Sequence, residues 1–183
     1  MSSFIKFLEC FDKNTNKKGN QFEHFVKWFL ENDPEWSTQV KQIWLWDKYP
    51  HRWGKDCGID LVFKHTNGEI WAVQAKFYAP TTSITKANVD TFLSESSRHG
   101  IDKRLLIATT DLLSPNARKV CEAPQAKPVT RYMLSHFLAS TLEFPTKLED
   151  LYKVKKRKPP KPRPHQIEAI ANVIKHFKLS DRG

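Results

Sequence analysis

Two β-rich apolar runs, Leu61-Val62-Phe63 and Ile70-Trp71-Ala72-Val73, flank Thr66-Asn67-Gly68. Asn-Gly between such runs is the strongest short-range signal for a β-hairpin. Any fold for this chain must therefore hold a hairpin over residues 59–78, and side-chain patterning selects its register. A two-residue Asn67-Gly68 loop would set Ile59 opposite Lys76 and Leu61 opposite Gln74, mixing apolar and polar side chains on each face. A three-residue loop, Thr66 to Gly68 with Gly68 left-handed in a bulge, instead pairs Ile59 with Ala75, Leu61 with Val73 and Phe63 with Trp71. One face is then apolar. On the other, Asp60 stands opposite Gln74, and Lys76 lies two residues further on the same side.

An acid, an amide and a lysine at one end of a hairpin fit phosphodiester hydrolysis. A hard divalent cation such as magnesium takes oxygen ligands, which Asp60, the Gln74 side chain and the Ala75 carbonyl can supply while leaving positions for water and phosphate. Such an ion polarises a phosphoryl oxygen and lowers the pKa of a bound water. The Lys76 ammonium can orient the attacking water or stabilise charge developing on the phosphate. Each residue alone has an ordinary explanation, since an Asp beside Gly is often a turn residue and Gln-x-Lys on an edge strand is often a solvated face. The constellation is more specific than its members.

The residues Gly54-x-Asp56-x-Gly58-Ile59-Asp60 followed by Gln74-x-Lys76 resemble the Mrr-like branch of the PD-(D/E)XK nuclease superfamily, with Gln74 where a second acid is usual. In that branch a glutamate on the first helix completes the site. Lys18-Gly19-Asn20-Gln21-Phe22-Glu23 resembles that helix start, which makes Glu23 the matching catalytic and metal-site residue. The resemblance covers residues 15–135 and implies a restriction-endonuclease-like α/β core, a central mixed β-sheet flanked by helices. It also implies Mg2+ as cofactor and double-stranded DNA as partner; with Gln74 in place of the second carboxylate, one ion is expected rather than two.

The rest of the chain agrees with such a core. Phe22, Phe25, Val26, Phe29 and Leu30 recur at helical spacing, predicting a helix over residues 20–32 that stops before Asp33-Pro34. A first strand is expected at residues 40–46. After the hairpin come a helix near residues 85–99, a strand at 105–110, a helix from Pro115 and a last strand at 129–132. Trp36, Trp44, Trp46, Tyr49 and Trp53 could stack on bases, but sheet packing and cover for a loop near the site explain them better. His51, Arg52 and Lys55 are weaker candidates for phosphate contacts.

The chain is basic, with 30 Lys and Arg against 20 Asp and Glu and a formal net charge of +10, which favours a polyanionic partner. Seven of those basic residues fall within residues 153–163 without an acid, leaving 23 against 20 elsewhere. Three cysteines without Cys-x-x-Cys spacing argue against a disulfide framework or a zinc site. No apolar run is long enough for a signal-peptide core or a membrane span, so a cytoplasmic protein without membrane contact is expected.

The expected domain plan is a nuclease domain over residues 1–151, a basic Pro-rich linker over 152–163, and a further segment over 164–183. Arg163-Pro164-x-Gln166-x-x-Ala169 resembles the opening of a superfamily 2 helicase-like motor, in which Gln166 would contact adenine. ATP would enter only through the motor of a longer protein, because no phosphate loop follows. A nuclease joined to such a motor resembles the single-polypeptide type ISP restriction enzymes of the LlaGI kind. That implies a nuclease of low sequence preference, cutting when one translocating polypeptide meets another on DNA. Two alternatives stand beside this reading: a Holliday-junction resolvase-like nuclease, and a noncatalytic DNA-binding module serving the motor.

Overall fold

A computed structural model of the chain describes residues 3–55, 57–124 and 126–152, together with Asn172. Apart from Tyr152 and Asn172, the linker expected over residues 152–163 and the motor-like segment expected over 164–183, Gln166 included, lie outside the described residues. The hairpin adopts the register chosen by patterning. Strand β2 (Leu61–His65) pairs antiparallel with β3 (Ile70–Lys76), with Leu61 opposite Val73 and Phe63 opposite Trp71. The turn closes through His65 and Glu69, and Gly68 takes φ +100°, a value that only glycine adopts without strain.

Around this hairpin the sheet orders as β1-β2-β3-β4-β5. Strand β1 (Val40–Leu45) runs antiparallel to β2, whereas β4 (Lys103–Ala108) and β5 (Val129–Tyr132) run parallel to β3 and to each other. The sheet is therefore mixed, and helices cover both faces. Strand β3 is central, so Gln74 and Lys76 do not sit on a solvated edge. The parallel strands are connected by α4 (Ala87–Glu95) and α5 (Pro115–Glu122), as parallel pairing requires.

On one face, α2 (Thr15–Asn32) presses Phe22, Phe25 and Phe29 onto Leu61, Phe63, Val73, Leu105 and Ile107. Helix α2 starts five residues before the expected residue 20, because the Asn14 side chain accepts from the Asn16 and Lys17 amides and caps a polar first turn. Two short helices beyond the expected core, α1 (Ser3–Leu8) and α6 (Leu134–Ala139), complete this side. Phe4 of α1 stacks on Phe137 of α6 at 4.3 Å between ring centres. On the other face, Val62 and Ala72 pack with Trp46, Tyr49 and Phe92, so both faces of the hairpin are dry. A single-turn helix α3 (Trp36–Gln39) leads into β1, and Trp36 is buried against the α2 side. Trp44, Trp46, Tyr49 and Trp53 belong to the second core cluster, which favours packing over base stacking. Among the described residues no helix is long and apolar enough to cross a membrane.

Candidate active site

The regular ladder between β2 and β3 ends at Leu61 and Val73. One residue earlier the chain departs from alternation. Gly58 takes φ +62°, and a Cβ there would lie 3.0 Å from the Phe92 amide nitrogen of α4. Ile59 turns into the cluster with Val62 and Trp46 rather than joining Leu61. The expected pairing of Ile59 with Ala75, and of Asp60 with Gln74, is thus replaced by a local irregularity. The Asp60 amide donates to the Val73 carbonyl at 2.9 Å, and its own carbonyl accepts from Trp46 at 2.8 Å. With Ile59 on the α4 side, Asp60 turns toward α2, which carries Glu23.

The Asp60 carboxylate accepts a 2.7 Å hydrogen bond from the Ala75 amide. In a strand the N–H and C=O of one residue point the same way, so the Ala75 carbonyl also faces the Asp60 side. Burial pushes the Asp60 carboxyl up to about 6, against the opposing pull of the Ala75 amide and the Lys76 charge. Glu23, half-buried in the third turn of α2, is pushed up to about 7 by burial, then by the negative charges of Asp60 and Asp47, with Lys76 opposing. Glu23, Asp60 and Lys76 therefore come from three different elements into one electrostatic neighbourhood.

Gln74 is 2 % exposed. Its Nε2 donates to the Gly58 carbonyl at 3.1 Å, and among the described residues its Oε1 has no hydrogen-bond partner. The carbonyl acceptor fixes which way the amide points, because a flipped amide would set two oxygens against each other. A buried oxygen acceptor left open is costly unless something occupies it. Asp60, Glu23, the Ala75 carbonyl and the Gln74 oxygen would together make an all-oxygen donor set, which suits a hard divalent cation. Among the described residues no group of three His, Cys, Asp or Glu side chains is placed to hold a metal. Metal binding here would draw on amide and main-chain oxygens beside two carboxylates.

Asp47 was not legible as a participant. It follows β1 in a single 3-10 turn, next to the Trp46 amide that binds Asp60, and its charge reaches Glu23. Its side chain is 58 % exposed and pairs with Lys48 at 3.1 Å, so solvent screens it. The weaker phosphate candidates His51, Arg52 and Lys55 lie exposed in the loop between β1 and β2. That loop is pinned by Trp46 Nε1 donating to the Gly54 carbonyl at 2.9 Å and by Trp53 Nε1 donating to Glu95 at 2.8 Å.

Residues 31–152 match a family model of the Mrr catalytic type, described as restriction endonuclease. Among solved structures, the ATP-dependent type ISP restriction-modification enzyme LlaBIII bound to DNA aligns with 30 % identity and a TM-score of 0.63, over 88 % of this chain and 10 % of that one. This chain thus spans about a tenth of that enzyme. The modification-dependent restriction endonuclease AspBHI aligns at 13 % identity and a TM-score of 0.42, over 90 % of this chain and 37 % of that one. MspJI restriction endonuclease in complex with an oligonucleotide aligns at 16 % identity and 0.38, over 66 % and 27 %. No curated protein matches the chain.

Proposed function

The chain belongs to the Mrr-like PD-(D/E)XK restriction endonucleases and is related to type ISP enzymes such as LlaBIII, and from that premise we propose that it is a magnesium-dependent DNA endonuclease domain. The observation that carries this reading is the convergence of Glu23 and Asp60, from separate elements, within electrostatic reach of Lys76. Asp60, Glu23, the Gln74 Oε1 and the Ala75 carbonyl are the residues that would hold the ion. The ion, when bound, supplies Lewis-acid polarisation of the scissile phosphate.

The chain's own groups do the rest. The Ala75 amide fixes the Asp60 carboxylate, and the Gly58 carbonyl fixes the Gln74 amide, so two oxygen donors are set before substrate arrives. Lys76, at the end of a central strand, would steady the charge developing on the phosphate. Trp46, Tyr49 and Trp53 keep the loop entering Asp60 packed on α4, which limits water at that edge of the site.

Within a longer protein, residues 152–163 serve as a basic tether and residues 164–183 open a helicase-like motor with Gln166 as its adenine contact. Double-stranded DNA is the substrate, and cutting follows when one polypeptide meets another on it. The test is nicking of supercoiled plasmid by a protein that includes the motor, with ATP and magnesium. Asp60→Ala and Lys76→Ala, at verified fold and equal ATPase rate, should each lose nicking. Unchanged nicking in both variants would place the cutting residues elsewhere and leave this domain as a DNA-binding module.

A further inference from the structure

Helix α2 carries a glycine in its interior for which the described residues offer no reason. Among ordinary helix residues only proline is worse tolerated than glycine. Glycine usually persists in such a place because φ is positive or because a neighbour lies too close for a side chain. Among the described residues neither holds at Gly19. The positive-φ glycines among them are Gly58, Gly68 and Gly100, and no described residue comes within 4 Å of where a Gly19 Cβ would sit.

The position of that gap is informative. Thr15, Gly19 and Glu23 follow one another at four-residue spacing in α2 and so form one stripe on the helix surface. Gly19 lies one turn, about 6 Å along the axis, before the carboxylate that faces Asp60 and Lys76. Beside it, the Lys18 ammonium lies 5.2 Å from the centre of the Phe77 ring, and Phe77 directly follows Lys76. A second cation is thereby held next to the strand end that carries the first. The exposed Asn16 and Asn20 add side-chain amides of the kind that bind phosphate and sugar oxygens.

We propose that the first two turns of α2 seat the sugar-phosphate backbone of the DNA strand entering the site: Gly19 leaves the space for it and Lys18 holds a flanking phosphate. This inference rests on the nuclease reading and adds where the substrate strand runs. A bare helix backbone lets a phosphodiester chain approach closely, and the strand would then lie across α2 toward Asp60.

The experiment measures binding of a labelled random-sequence duplex to the full chain by fluorescence anisotropy, in calcium to hold the DNA uncut, alongside thermal melts and plasmid nicking by the motor-containing protein. Gly19→Leu should raise Tm by about 2–4 °C, since leucine is the better helix former, while weakening DNA binding about tenfold. Lys18→Ala should reduce the slope of log affinity against log salt by about 0.9. Wild-type affinity in Gly19→Leu, or a lower Tm in that variant, would overturn the inference while leaving nicking by the wild type to uphold the nuclease reading. A wild type that neither binds nor nicks DNA would remove both.

Discussion

Replacing Asp60 with asparagine should make this protein more stable and inactive, and the pH dependence of the gain identifies its cause. The carboxyl is raised from 3.8 to about 6, chiefly by burial. A folded-state value above the unfolded one means that the native state holds its proton more tightly. Ionisation therefore costs native stability, starting near pH 4 as the unfolded chain ionises and complete above about pH 6. A shift of about two units corresponds to about 3 kcal/mol, reduced to about 2 kcal/mol because Asp60 keeps some contact with solvent. Asparagine has nearly the same shape and keeps an oxygen for the Ala75 amide. Asp60→Asn should thus exceed the wild type by about 2 kcal/mol at pH 8, or about 4–8 °C in Tm, and match it at pH 4. The assay is chemical unfolding across pH 4–8 in chelator. It is repeated in magnesium, where the wild type alone should gain about 2.7 kcal/mol at a hundredfold excess over Kd. A variant less stable than the wild type at pH 8, or a difference independent of pH, would refute the account of Asp60 as a desolvated carboxylate.

Gln74→Met removes the open buried acceptor but also takes the donor from the Gly58 carbonyl. Stability in chelator should therefore change by less than about 1 kcal/mol, while stabilisation by magnesium in thermal melts falls. Gly58→Ala, at φ +62° and 3.0 Å from the Phe92 amide nitrogen, should cost about 1–3 kcal/mol in denaturant unfolding and also weaken the magnesium effect, because its carbonyl orients Gln74. Arg104→Leu should cost about 3 kcal/mol with magnesium stabilisation retained. The buried guanidinium bonds to Ser96, Ser97, the Leu93 carbonyl and the Lys127 carbonyl, fixing the end of α4 to β4 at a distance from the site, and comparison of m-values checks that the native fold persists.

Side-chain patterning was enough to select the hairpin, its three-residue turn and the register from Leu61 opposite Val73 to Lys64 opposite Ile70, because one alternative mixed apolar and polar side chains on each face and the other did not. It also marked α2 through its phenylalanine spacing, and the order of the later strands and helices. The α1 and α6 helices were not legible: six residues are too few for periodicity to identify, and their phenylalanines acquire meaning only when they meet across the core. Nor was the start of α2, since a polar capped turn carries no hydrophobic pattern. The tertiary structure alone decided the site's arrangement. Alternation along β2 places Asp60 with Gln74, but alternation assumes a regular ladder. The ladder ends at Leu61 because Gly58 packs against the α4 backbone with a left-handed φ, which sends Ile59 into one core layer and Asp60 toward the other. Only that turn brings Asp60 near Glu23, some forty residues earlier in the chain, and only the Gly58 carbonyl leaves the Gln74 oxygen open. The chemistry of the residues was written in their types; their convergence depends on an irregularity that no period-two pattern can express.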